Sequence, residues 1–320
     1  MQIFVCGMHR SGTSMIARLL NLMGIYFGPE GSALPANREN PKGFWERRDI
    51  VQLNDAVLNS TGSTWFDVYK FMSRPPNWQL PDSLAPRVAT KLGDIDAYRP
   101  WFLKDPRFCL TLPYWLQFCE RPLAIVCSRD PASIIESLAK RSEITGLVFT
   151  LEESLALWEY HGSNLLLSVS GMPTVFVRYE RMLAAPVEAC ARLYQSLREH
   201  KVGGIRMPEP DEILAFVDSA LHRSAPAQAP SAEFVQWVER LDRCLDGGAD
   251  ADIPLSTKSI RALAGLNERL EGARRRHDLL QGLAQQRAHI EALLTDAGAS
   301  DPTSGWTASE LSEFASRRQS

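Results

Sequence analysis

The sequence holds little that would direct it to a membrane, a metal or a nucleic acid. No apolar run is long enough to span a bilayer, and the first, about five residues, leads straight into a glycine loop, so neither a signal peptide nor a spanning helix is expected. The six cysteines (Cys6, Cys109, Cys119, Cys127, Cys190 and Cys244) form no C-x-x-C pair and show no metal-ligand spacing, so they are expected as buried free thiols. Lys and Arg total 35 against 38 Asp and Glu, a formal net charge of -3, which leaves no bulk attraction to nucleic acid or anionic lipid. Any anion must be held by a local cluster. The expectation is a cytoplasmic protein with no nucleic-acid partner and no integral membrane segment. What is present is ordinary: 320 residues, 45% hydrophobic and 23% charged, suit one main domain with an appendage.

Short β-rich runs at "QIFVC", "PLAIVCS" and "TVFVRY" alternate with helical patterns at 13–24, 131–141, 152–168 and 186–199. That alternation predicts an α/β fold, a P-loop-type parallel sheet flanked by helices. Residues 28–102 carry many prolines, tryptophans and glycines and read as a long irregular insertion, the expected acceptor-binding region. Past residue 225 "SAPAQAPSAE" reads as a linker, and 256–296 has no proline and is rich in Ala, Leu, Arg, Glu and Gln. The division expected is a main domain over 1–225, a linker with a short helix over 226–255, a C-terminal helical extension over 256–296 and a flexible tail over 297–320. The extension is a candidate for self-association or partner docking, although His277 and Arg287 interrupt its apolar spacing.

The stretch "FVCGMHRSGTSMIARLLNLMG" passes from an apolar strand through a loop bracketed by Gly7 and Gly12 into a helical pattern. Such a loop aims backbone N–H groups at one point, where the helix dipole adds positive charge, and so binds a phosphate-like anion. Ser11, Thr13 and Ser14 add hydroxyls, and Arg10 a permanently charged fork. The G-x-x-x-x-G-K-[ST] loop of nucleotide triphosphatases would place lysine where Thr13 stands. Kinases use that lysine, beside magnesium, on the β- and γ-phosphates, so a donor whose transferred group carries less charge fits better, such as a sulfuryl group.

"GMHRSGTSMIARLLNLMG" resembles the 5′-phosphosulfate loop of sulfotransferases that use 3′-phosphoadenosine-5′-phosphosulfate, PAPS, particularly bacterial-type and tyrosylprotein-type members with R-S-G-T-[ST]. "AIVCSRDPASIIESLAKR" is similar to the family's 3′-phosphate motif, whose arginine and serine would be Arg129 and Ser137. A helix beginning near Pro131 would put Ser133 and Ser137 on one face. "FLKDPRFCLTLPYW" resembles the family's K-D-P-R-F element, and "VRYERMLAAP" its Y-E-D-[LM] stretch, in which Tyr179 and Glu180 read as structural. The resemblance covers about 1–225. It implies a PAPS-dependent transferase needing no metal, with His9, Arg10, Ser11, Gly12, Thr13, Ser14, Arg129 and Ser137 holding the donor. The acceptor would be a hydroxyl or amine, of a glycan or glycolipid precursor first, with a peptide tyrosine or small phenol as alternatives.

The sequence also departs from that pattern. Cytosolic members place a catalytic histidine two residues after a lysine, but Lys104 is followed by Asp105 and Pro106. The base must come from elsewhere: Glu46 in "NPKGFWE" is the first candidate, Asp105 the second and His9 the third, with Glu46 paired to Arg47 or Arg48 as the plain alternative. Arg10 and Lys104 are the candidates for stabilising the leaving oxygen. The family's R-K-G segment is missing, and "ALHRS" offers His222 or Arg223 in its place, although a surface helix end suits both better. Two other readings stand beside this one: a kinase-like nucleotide enzyme, and a non-catalytic interaction protein on the same fold.

Overall fold

Three runs that are buried along almost their whole length become the strands β1 (Gln2–Cys6), β2 (Trp101–Lys104) and β3 (Pro122–Ser128), and a fourth, buried at alternate residues, becomes β4 (Thr174–Arg178). They form one parallel sheet in the order β2-β1-β3-β4. Burial on both faces explains the near-continuous apolar sequence of β1 and β3. The computed structural model describes residues 1–36, 43–75, 77–217, 242–244, 255–296 and 307.

Helices cover both faces. On one, α1 (Thr13–Leu22) meets Ile3, Val5, Leu123, Ile125 and Val175 in a core closed by residues of the later helices described below. On the other, Phe4 stands edge-on to Trp101 and Phe108. The α/β parallel-sheet expectation therefore holds. Chain order from β1 leads outward to β2 and then back past β1 to β3, so the switch point lies between β1 and β3, where α/β sheets hold their ligands.

The insertion differs from its expected irregularity. It contains α2 (Arg48–Asn59), α3 (Tyr69–Met72) and α4 (Ala85–Asp96), and β2 begins inside its final residues. Buried Ile50, Leu53, Asn54, Val57 and Leu58 stand three and four apart along α2, an amphipathic spacing that the surrounding prolines and tryptophans mask. The chain continues through α5 (Phe108–Leu116), α6 (Pro131–Thr145), α7 (Leu151–Val169), α8 (Tyr179–Ala184), α9 (Pro186–Glu199) and α10 (Pro210–Phe216). All six cysteines are free and five are buried.

The chain divides into two units, Met1–Ala264 and Gly265–Ser320. One helix, α11 (Thr257–Asp296), starts in the first. At that start the buried Glu159 carboxylate of α7 accepts hydrogen bonds from the Ser256 amide and from the hydroxyls of Ser256, at 3.0 Å, and Ser259, at 2.6 Å. The second unit comprises the rest of α11, where Leu279 and Leu280 are exposed. Most of the expected linker over 226–255, the tail over 297–320 except Thr307, and His222 and Arg223 lie outside the described residues. Among the described residues no helix is long and apolar enough to cross a membrane.

His161, wholly buried on α7, holds its Nδ1 2.7 Å from the Leu157 carbonyl. Burial brings its imidazole from 6.5 down to about 4. The unfolded chain therefore binds a proton below about 6.5 that the folded chain refuses until about 4, so stability falls as pH falls across that window, by about 3 kcal/mol. Urea melts at about pH 7 and pH 5 should register this loss, and His161→Phe should flatten it.

Candidate active site

The loop between β1 and α1 owes its shape to its two glycines. Gly7 has φ 154°, and a Cβ there would lie 2.5 Å from both the Cys127 carbonyl oxygen and Ser11 Oγ; Gly12 has φ 91°, and a Cβ there would lie 2.3 Å from the Tyr179 ring. The loop is thus pressed against β3 and α8. Among the described residues the first turn of α1 has no side-chain cap, and it holds no acidic residue, so the positive end of the helix dipole faces the loop. His9 Nε2, Ser11 Oγ and Ser128 Oγ are buried with no hydrogen-bond partner among the described residues. Buried polar atoms are nearly always bonded, so three orphans around one loop mark a place for a polar ligand.

Strand ends bring the charged residues to this loop. Arg10, held at φ 74°, points its Nε to Ser137 Oγ on α6 at 2.7 Å, while its carbonyl accepts from Arg129 Nη1 at 3.0 Å. Arg10, Arg129 and Ser137, expected at two ends of one donor, therefore form one cluster. Ser133 and Ser137 are both buried on α6. Asp130 caps that helix by accepting the Ser133 amide at 2.8 Å.

Tyr179 and Glu180 brace the cluster. The Arg129 guanidinium lies 4.6 Å from the Tyr179 ring centroid, and Glu180 Oε1 accepts the Asp130 amide at 2.9 Å. The sequence reads both as structural residues; it does not reveal their contacts with Arg129 and Asp130.

Lys104 ends β2 beside Val5 of β1. Its Nζ donates to Glu46 Oε1 at 2.5 Å and to the Phe44 carbonyl at 3.0 Å, and lies 3.3 Å from Ser14 Oγ. Glu46 is buried, 6% exposed, and its partner is Lys104; Arg47 pairs instead with Asp49 at 2.8 Å. Burial pushes the Glu46 carboxyl above its usual range, and Lys104 opposes that shift.

The other two base candidates sit differently. Asp105 is fully buried and both oxygens are engaged: Oδ2 by Asn54 Nδ2 at 2.9 Å, Oδ1 by the Arg107 amide at 2.9 Å and its Nη1 at 3.1 Å. Arg107 also pairs with Asp55 at 2.6 Å, so the "KDPR" turn is tied to α2 by charge. The His9 ring packs at a tilt of 41° against Trp65, centroids 4.1 Å apart, and burial, with cations including Arg107 and Arg141 nearby, holds it well below 6.5 and thus neutral. Ser14 Oγ donates to the Phe44 carbonyl at 3.0 Å. Sequence reasoning missed Ser128 and the Phe44 carbonyl: the first was visible as the strand-end residue of "SRDP", the second is a backbone atom that no side-chain pattern reports.

A cluster of two arginines, a lysine and an uncapped helix start can hold a phosphate-bearing anion, and a buried carboxylate beside it can take a proton. Among the described residues no group of three or more His, Cys, Asp or Glu is placed to hold a metal ion.

Residues 2–200 match the model of the Sulfotransferase family. The fold resembles the sulfotransferase domain of the Synechococcus PCC 7002 olefin synthase, with 14% identity, TM-score 0.38, and 82% of this chain and 93% of that one covered. It also resembles the sulfotransferase domain from the curacin biosynthetic pathway, with 17% identity, TM-score 0.39, and 82% and 96% covered. Sulfotransferase STF9 from Mycobacterium avium shows 15% identity and TM-score 0.39 over 79% and 77%. A search of curated proteins returned no match.

Proposed function

Because the chain belongs to the Sulfotransferase family, we propose that it moves a sulfuryl group from PAPS to a hydroxyl of an acceptor, a glycan or glycolipid precursor first among the candidates. The observation that carries this reading is the meeting of Arg10, Arg129 and Ser137 with an uncapped helix start and three orphaned polar atoms at the sheet's switch point. When bound, the donor supplies the sulfuryl group and a phosphate leaving group. His9, Ser11, Gly12, Thr13 and the α1 amides would hold its 5′ side, and Arg129 with Ser137 its 3′-phosphate. Arg10 and Lys104 would stabilise the charge that develops on the leaving oxygen. Glu46 would take the acceptor's proton, its carboxylate kept ionised by Lys104 while burial makes it a stronger base. Asp105, with both oxygens engaged, suits holding the turn that aims Lys104.

Thermal shift tests the donor class. Adenosine 3′,5′-bisphosphate should stabilise the protein, by about 2.7 kcal/mol at a hundredfold excess over its Kd, and magnesium-ATP should not. Stabilisation by magnesium-ATP alone would favour the kinase-like reading. Transfer is then sought by incubating labelled PAPS with hydroxyl-bearing glycans.

The 3′-phosphate assignment has its own expected result. Ser137→Ala and Arg129→Ala should each weaken adenosine 3′,5′-bisphosphate binding by roughly ten- to a hundredfold, as for a lost hydrogen bond to a charged group, and adenosine 5′-phosphosulfate binding far less. Calorimetric titration showing equal losses for both nucleotides would contradict it. Arg129→Ala should cost more, since it also frees the Arg10 carbonyl.

A further inference from the structure

Ser14, the second residue of α1, is where a phosphate loop is expected to offer a hydroxyl to its anion. Its Oγ instead donates to the carbonyl of Phe44, thirty residues on, at 3.0 Å. Lys104 Nζ donates to the same carbonyl at 3.0 Å, lies 3.3 Å from Ser14 Oγ, and reaches Glu46 at 2.5 Å. One backbone oxygen thus joins the first turn of α1, the end of β2 and the segment that carries Glu46.

Between Phe44 and Glu46 stands Trp45 at φ 53°. A bulky residue in the left-handed region costs roughly 1–2 kcal/mol and persists only where its surroundings fix it. Here they do so on every side. The Phe44 carbonyl is clasped by Ser14 and Lys104; the Trp45 ring meets Phe27 edge-on, centroids 5.7 Å apart, with Arg18 at 5.2 Å; the Glu46 carbonyl accepts from the Leu34 amide at 2.7 Å. The turn at Trp45 sets where the Glu46 carboxylate stands, and the clasp sets the turn.

We propose that Ser14 is a positioning residue for Glu46: its hydroxyl holds the Phe44 carbonyl against α1, which fixes the base relative to the loop that binds the donor. The inference rests on the reading of Glu46 as the base. It makes donor loop and base one rigid unit, so that a shift of either carries the other.

A double-mutant cycle tests it, with turnover read as release of adenosine 3′,5′-bisphosphate from PAPS and water as the acceptor, so that no acceptor need be known. Ser14→Ala should lower kcat by up to roughly a hundredfold, the scale of a misplaced catalytic group, while bisphosphate Kd stays within a few-fold of the parent's. In a Glu46→Gln background the same substitution should change kcat little, because the group it positions has gone. Ser14→Thr keeps the hydroxyl and should restore most of the rate, which separates a lost clasp from a misfolded chain. Equal losses in both backgrounds, a parallel loss of bisphosphate affinity, or an unchanged kcat would each overturn the clasp. Glu46→Gln turning over at the parent rate would remove the base and this inference with it, a result read apart from the additivity of the cycle.

Discussion

Glu46→Gln is expected to lower turnover by roughly 10²–10⁴-fold, the loss typical of a general base, and to leave adenosine 3′,5′-bisphosphate binding within a few-fold of the parent's. The residue is 6% exposed, paired with Lys104 and flanked by Phe44 and Trp45, so water reaches it poorly. Burial holds its proton above the usual carboxylate pH range. A base works only when deprotonated, so the rate should rise with pH through that raised value, and glutamine should abolish the rise. The substitution also strands a buried ammonium, a change that can cost about 3–5 kcal/mol of stability, so the nucleotide titration serves as the check on folding. A rate within a few-fold of the parent, with binding intact, would remove Glu46 and bring His9 forward, whose neutral, orphaned Nε2 could accept a proton.

The strands β1 and β3 were legible to the residue, because a parallel strand buried on both faces must be apolar throughout. β2 was not: "WFLK" is four residues long, follows Pro100 and ends on the charged Lys104, so it reads as a motif rather than a strand. In α2 the apolar spacing is present, but its third buried position is Asn54, which serves Asp105, Thr111 and Trp115 instead of packing as a hydrocarbon. Within the candidate site, residues close in sequence declared themselves: the glycine loop with Arg10, and Arg129 with Ser137. Pairings across the fold did not. Lys104 and Glu46 stand 58 residues apart, and nothing in either neighbourhood specifies the other until β2 and the Trp45 turn place them together. Arg10 on Ser137, 127 residues away, is the same case.

Arg10→Ala should lower kcat by roughly 10²–10³-fold, equivalent to the about 3–4 kcal/mol lost with one preorganised donor to developing charge, while weakening bisphosphate binding much less. The difference follows from what each part of the residue does. The carbonyl of Arg10 accepts Arg129, and that brace survives any side-chain change. The guanidinium rests on Ser137 through Nε, so alanine removes a positive charge from the loop without undoing its backbone. An interaction that strengthens as the phosphate oxygen leaves contributes to the transition state more than to the bound ground state, and its loss appears in kcat. Position 10 has φ 74°, where alanine is as strained as arginine and glycine is not. Arg10→Gly should therefore match alanine in rate but melt no lower, which separates the chemistry from the conformation. Arg10→Lys should recover part of the rate, since a single ammonium supplies charge without the fork. Alanine and glycine variants that both turn over at the parent rate would take Arg10 out of the reaction and leave the leaving group to Lys104 and the amides of α1.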